Sequence, residues 1–197
     1  GQPAGISVEI ARGLAEHLGR PLRVENIPFT GLIPALKSGK IDLIISSMTA
    51  TPERAKAVAF SSPYYETTQA VVAAKGSKAA AATSIADLKD AVIGVMSGTT
   101  SLKAAEDVIA PSSDVQVFND NVDAVTALQN GQVDALVVDL PTAFYVRDAQ
   151  LEGDGVIVGQ LDAAAGDAFA FVLPKGSSLT AKVSDALDAL RADGTLA

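Results

Sequence analysis

Arg54 ends the run Ser46-Ser47-Met48-Thr49-Ala50-Thr51-Pro52-Glu53-Arg54, in which an apolar strand gives way to hydroxyls and then to a helix start. Thr51-Pro52-Glu53 has the character of an N-cap, a first helical proline and an acidic first turn. Arg54 therefore falls in the first turn, beside backbone N–H groups and the Thr49 hydroxyl. A planar guanidinium held there can grip a carboxylate with two parallel hydrogen bonds. A solvated Arg54 paired with a nearby Glu is the plainer alternative. Val95-Met96-Ser97-Gly98-Thr99-Thr100-Ser101 is a second passage from strand to helix, whose backbone N–H groups suit an anion. An ordinary Ser/Thr helix cap explains the same residues, and the loop is neither a Walker loop nor a dinucleotide fingerprint. Asp139, in Val137-Val138-Asp139-Leu140-Pro141-Thr142, ends an apolar strand, where an unpaired carboxylate is costly. It either caps the helix that Pro141 begins or meets a cation such as an α-ammonium group.

Phe29, before another helix start, offers an apolar wall, although a Phe is more often core. His17 reads as a surface or capping residue, and Tyr64-Tyr65 as packing. Carboxylate grips at Arg54, Thr49 and the Thr100 loop, with an ammonium grip at Asp139, match the two charges of a zwitterionic amino acid. No His, Cys or activated Ser stands among them, so the set favours binding over catalysis.

The elements that position these residues are legible from spacing. Ile6, Ile10, Leu14 and Leu18 predict a helix over 6–18, ending at Gly19; further helices are predicted at Asp123–Asn130 and Ser177–Ala192. Short apolar runs predict buried strands at Leu43–Ile45, Ala70–Ala74, Val92–Val95, Val115–Phe118, Ala135–Val138 and Phe169–Leu173. Strands alternating with helices predict parallel sheets faced by helices. An internal repeat organises them. Ala35-Leu-Lys-Ser-Gly-Lys-Ile-Asp-Leu-Ile matches Ala127-Leu-Gln-Asn-Gly-Gln-Val-Asp-Ala-Leu, a helix ending at a left-handed Gly and turning into a strand. The repeat aligns Ser47 with Asp139, each just past a strand's carboxyl end, where open α/β sheets bind ligands. We therefore expect two lobes built alike.

Composition narrows the classes. In 197 residues, 48% hydrophobic, a core needs no staples; the absence of Cys and the single His exclude disulfides, thiolate chemistry and Cys- or His-rich zinc sites. A formal charge of -8 repels phosphate backbones and argues against a nucleic-acid partner. Every apolar run is broken well before the roughly 18 residues of a membrane helix. No cofactor is expected. The sequence opens at Gly1 with neither Met nor a basic-then-apolar leader, so its natural beginning is expected upstream.

Read in order, Gly5-Ile-Ser-Val-Glu-Ile-Ala, Phe29 through Asp42, Met48-Thr-Ala-Thr-Pro-Glu-Arg and Phe60-Ser-Ser-Pro-Tyr-Tyr resemble successive blocks of the polar amino-acid family of periplasmic solute-binding proteins, partners of ABC importers. Ile93-Gly-Val-Met-Ser-Gly-Thr-Thr, Asp134 through Pro141 and Leu190-Arg-Ala-Asp-Gly-Thr continue the match over essentially the whole chain. The resemblance implies an α/β fold of the type II binding-protein kind: two similar lobes, each a mostly parallel sheet flanked by helices, joined by two hinge crossings near 72–75 and 167–171. Lobe one would comprise 1–72 plus 170–197 and lobe two 73–169. The ligand-binding candidates are Phe29, Ser47, Met48, Thr49, Arg54, Met96, Thr99, Thr100 and Asp139.

By resemblance, Arg54 with Thr49 and the Thr100 backbone would hold the ligand carboxylate, while the Ser47 carbonyl and Asp139 would hold the ammonium. Phe29 would pack on the ligand body. Met96 stands where some members carry a polar residue, which favours a neutral ligand. A free amino acid, an importer permease, hinge closure and a periplasmic or extracellular location, with a lipid anchor upstream, are the implied partners and setting. The family's opening strand is expected ahead of Gly1, and the end of its last helix beyond Ala197. Two alternatives stand beside this: a cyclohexadienyl dehydratase-like enzyme, and the ligand-sensing module of a receptor.

Overall fold

The computed structural model describes residues 5–162 and 167–196. Residue contacts divide the chain into two compact units, Gly1–Glu66 with Ala168–Ala197, and Thr67–Asp167. The first boundary lies ahead of the one expected after residue 72, because residues 69–74 form an interior strand of the second unit.

The first unit contains helices α1 (Ile6–His17), α2 (Leu32–Lys37), α3 (Pro52–Ala55) and α7 (Leu179–Ala192), with strand β1 (Val58–Thr67) paired to β7 (Asp167–Pro174). Side chains alternate across β7, and each face meets a different core. Phe169, Phe171 and Leu173 pack with Ile10 and Leu14 of α1 and Val183 and Leu187 of α7. Val172, on the opposite face, packs with Leu32, Leu36, Ile44, Met48 and Val58. The strand expected at Leu43–Ile45 is reduced to a bridge, in which Ile44 and Val172 exchange backbone hydrogen bonds of 2.9 and 3.1 Å. Three residues on, Ser47 takes a positive φ of 48°, which turns the chain out of the extended conformation. β1 was not anticipated: Pro63 reads as a strand breaker, yet β1 pairs only with β7 in its sheet, and proline is tolerated on an edge.

The second unit holds β2 (Gln69–Ala74), β3 (Ile93–Met96), β4 (Gln116–Phe118), β5 (Ala135–Asp139) and β6 (Gly155–Leu161), ordered β4-β3-β5-β2-β6. Helices α4 (Thr100–Ala104), α5 (Asn121–Gln129) and α6 (Leu140–Tyr145) lie among them, α4 and α6 each running on into a π-helical turn. Ala70, Val72, Leu136 and Val138 share one core with α5 and α6; Val71, Ala73, Ile93, Val95, Ala135 and Val137 share another with Ala104, Ala105 and Ile109. Burial on both faces is why β2, β3 and β5 read as unbroken apolar runs, whereas β4, expected to be buried, lies at the sheet edge with Val117 exposed. The parallel arrangement expected from the β-α alternation holds for β4-β3-β5, whereas β2 runs antiparallel to both β5 and β6. β2 enters this sheet directly from β1, which belongs to the other sheet, across Thr68 alone.

The internal repeat is structural. Lys40 N donates to Ala35 O at 3.0 Å and Gln132 N to Ala127 O at 2.8 Å, while Gly39 and Gly131 have φ of 75° and 68°. Both copies end a helix with the same left-handed turn, and a side chain added at φ near 70° would strain it. Each then delivers a fully buried residue, Ile44 or Leu136.

Candidate functional site

In the first unit, the helix carrying Arg54 is one turn long. Thr51 caps it by accepting from Arg54 N at 3.2 Å, and Pro52 pre-sets its first residue. From the other end, the Lys175 amine donates to the carbonyls of Ala55 and Lys56 at 3.4 and 3.0 Å. So short a helix owes its place to these ties rather than to propensity. Arg54 itself is half-buried. Its Nη1 donates to the Thr49 carbonyl at 2.8 Å, and its guanidinium lies 5.6 Å from the centre of the Phe29 ring. The expected neighbours Phe29, Thr49 and Arg54 are thus together, with Phe29 acting first as the floor of the guanidinium.

Ser47, aligned by the repeat with Asp139, is exposed, and its left-handed backbone is uncommon for a serine. The Tyr64 hydroxyl accepts from Ser47 N at 3.2 Å and helps hold this turn. Tyr64 is otherwise core, 5.0 Å from the Phe171 ring, so the packing expected of it is present along with a polar duty that sequence did not suggest. Met48 calls for a correction among the ligand candidates. Its side chain is 1% exposed inside the Leu36–Val172 core, and its carbonyl accepts from Ala170 N at 3.2 Å. Apolar burial, not ligand contact, is what its thioether supplies.

In the second unit, Met96 ends β3, half-buried, and Gly98 turns the chain with φ 73°. Thr99 caps α4, accepting from Leu102 N at 3.3 Å and donating to the Met96 carbonyl at 2.7 Å. That is the ordinary helix cap anticipated for this loop. Thr100 follows as the first residue of α4.

Asp139 ends β5 and caps α6: its two carboxylate oxygens accept from Thr142 N at 3.0 Å and from Thr142 Oγ1 at 2.9 Å. The capping duty is therefore met, and each oxygen has a further lone pair with which to accept from a cation. Burial, reinforced by the charge of Asp167, pushes the Asp139 pKa above the ordinary carboxylate value despite the opposing bonds from Thr142. An ammonium beside it would relieve that cost.

Two residues near Asp139 escaped the sequence reading. Gln69, its cross-strand partner in the β2–β5 ladder, is 2% exposed, and Asp167 is 6% exposed. Gln69 Nε2 donates to Asp167 Oδ2, and Ser101 Oγ donates to Gln69 Oε1 at 2.6 Å. The signal was a lone amide at the head of the apolar run Gln69-Ala-Val-Val-Ala-Ala. His17 is exposed at the end of α1, as expected. Among the described residues, no group of three or more His, Cys, Asp or Glu is arranged to hold a metal ion, and no helix is long and apolar enough to cross a membrane.

A family model described as bacterial extracellular solute-binding proteins, family 3, matches residues 1–197. The chain belongs to this family. The L-arginine-binding protein of Pseudomonas aeruginosa is 37% identical over 201 residues, covering 98% of this chain and 76% of that protein. An ancestral arginine-binding protein bound to glutamine superposes with a TM-score of 0.90 at 36% identity, over 100% of this chain and 85% of the other. The ancestral arginine-binding protein bound to arginine gives 0.88 at 35%, over 100% and 86%.

This solute-binding protein thus has the α/β, type II-like fold of its relatives, with helices flanking the sheets of two units. Its relatives are named for binding, and it is a binding protein rather than an enzyme. The dehydratase alternative falls with that. The family description places its members outside the cell membrane.

Proposed function

We propose that this solute-binding protein captures a free amino acid and delivers it to the permease of an ABC importer. In this reading Arg54 of the first unit, with Thr49, takes the α-carboxylate. Asp139 of the second unit, with the Ser47 carbonyl of the first, takes the α-ammonium. Thr99 and Thr100 contribute the polar start of α4, and Phe29 and Met96 meet the rest of the ligand. A ligand held by groups from both units favours a closed state, and the hinge lies where the chain passes between units, at 66–67 and 167–168. The location is periplasmic or extracellular, with a lipid anchor on a segment upstream of Gly1.

The single observation that carries this reading is the Arg54 arrangement. A guanidinium tied to the Thr49 carbonyl and laid over Phe29 has its plane set in advance, which lowers the entropy lost in gripping a carboxylate. The relatives solved with arginine and with glutamine support the zwitterion as the ligand class. Isothermal titration with the standard amino acids tests it. At least one of them, with L-glutamine and L-arginine tried first to separate neutral from cationic side chains, is expected to bind. Arg54→Ala should weaken that binding by roughly 2–5 kcal/mol, because the ligand carboxylate loses its charged partner. No binding by any amino acid, or an unchanged Kd in the variant, overturns the reading.

A further inference from the structure

We propose that Tyr64 is a positioning residue of the ligand site: its hydroxyl holds Ser47 in the left-handed conformation that presents the Ser47 carbonyl to the ligand ammonium. The inference rests on the proposed function, which gives that carbonyl its role, and adds to the site a core tyrosine from another strand.

The backbone around Ser47 is forced out of a ladder. Ile44 bridges to Val172 and Thr49 to Phe169, both antiparallel. Between these bridges the segment advances five residues while β7 advances three, so the surplus must leave the ladder as a bulge. Hydrogen bonds fix both ends of the bulge. Val172 N donates to Ile44 O at 3.1 Å on one side, and Ala170 N to Met48 O at 3.2 Å on the other. Ser47 lies between them, exposed, with φ 48°.

That φ needs a cause. A side chain makes this region uncommon, and glycine is the residue that enters it readily. Ala110 and Glu152, the other non-glycine residues of positive φ among those described, each come just after a π-helical turn, where a left-handed residue is an ordinary helix ending. Ser47 follows no helix. Its support is the Tyr64 hydroxyl, which accepts from Ser47 N at 3.2 Å. Tyr64 is built to be a fixed post: it is 6% exposed, with its ring 5.0 Å from that of Phe171 and 6.3 Å from that of Phe169. Its own strand, β1, pairs with β7, so the post and the bulge are seated on one strand. With Ser47 N held by the hydroxyl and Met48 O by Ala170, the intervening carbonyl is aimed before a ligand arrives.

The test separates the conformation of residue 47 from everything else that Tyr64 does. Tyr64→Phe keeps the ring against Phe169 and Phe171 and removes the hydroxyl. Ser47 should then relax toward negative φ. Kd is measured for the standard amino acid that the parent binds most tightly, L-glutamine and L-arginine being tried first. It should rise roughly three- to tenfold, the worth of one hydrogen bond. The same substitution is then made in a Ser47→Gly protein, whatever the Kd of that protein. Glycine enters the left-handed region without help, so there Tyr64→Phe should raise Kd by no more than about twofold. Every other contact of the Tyr64 hydroxyl is lost alike in both backgrounds, so the difference between the two effects belongs to residue 47.

An unchanged Kd in Tyr64→Phe, or an equal rise in both backgrounds, overturns the inference while leaving the proposed function standing. A parent that binds no amino acid overturns both. Should the variants not fold, amide hydrogen exchange in the parent decides. The Ser47 amide, although its residue is exposed, is expected to exchange about tenfold or more slowly than an unprotected amide. Exchange at the unprotected rate overturns the inference.

Discussion

Asp139 caps a helix with both carboxylate oxygens and yet sits where burial and the Asp167 charge oppose its ionisation. Its folded pKa therefore lies above the unfolded one, and the proton is bound more tightly in the folded chain. Ionising it costs stability as pH rises from the ordinary carboxylate range through the raised folded value. An ammonium ligand has the opposite preference, since it pairs only with the ionised form. Affinity should accordingly fall as pH is lowered through the folded pKa of Asp139, and binding near that pH should release a proton. Titration calorimetry in buffers of differing ionisation enthalpy measures both. Asp139→Asn keeps a good capping side chain. Above the folded pKa it should hold or raise the melting midpoint, because the costly buried charge is gone, while it weakens binding and abolishes the proton release. Proton release that survives in this variant would assign it to another group.

At the scale of elements, the four residues of α3 show how little secondary structure is needed to aim a side chain. Thr51, Pro52 and the Lys175 amine hold its two ends, and Arg54 follows from them. Thr51→Ala should cost about 1 kcal/mol of stability, the ordinary value of an N-cap. It should also raise Kd, but by less than Arg54→Ala, because the guanidinium remains present and is only less well held. Urea denaturation and calorimetry on the same samples separate the two effects. An affinity loss equal to that of Arg54→Ala would mean that the cap, rather than the charge, is what the ligand depends on. β2 makes a different point. Its unbroken run of Ala and Val is headed by Gln69, which joins strand to loop through Ser101 and Thr100.

Over the whole molecule, the chain folds as two compact units linked by two passages, at 66–67 and 167–168. A ligand that binds the native chain and not the unfolded one stabilises it by mass action, about 2.7 kcal/mol at a hundredfold excess over Kd. For a chain of this length that corresponds to a rise in the thermal midpoint of roughly 5–11 °C. Differential scanning calorimetry with and without the bound amino acid checks this, and a midpoint unmoved at saturation would exclude binding to the folded state.

Much of this protein is determined locally and is therefore readable as sequence. Helical spacing marks α1 and α7, apolar runs mark the strands buried on both faces, and the Gly39 and Gly131 turns are dictated by a conformation that glycine alone adopts without strain. The capping of α3 and α6 by Thr51 and Asp139 is local too, since cap and helix lie within four residues. Long-range pairing is what escaped. The antiparallel direction of β2, the edge strand containing Pro63, the burial of Met48 and the joining of Gln69 to Asp167 each depend on which distant segment lies alongside. Periodicity says that a side chain is buried; only the tertiary fold decides what it is buried against, and so whether an amide or a carboxylate there finds a partner.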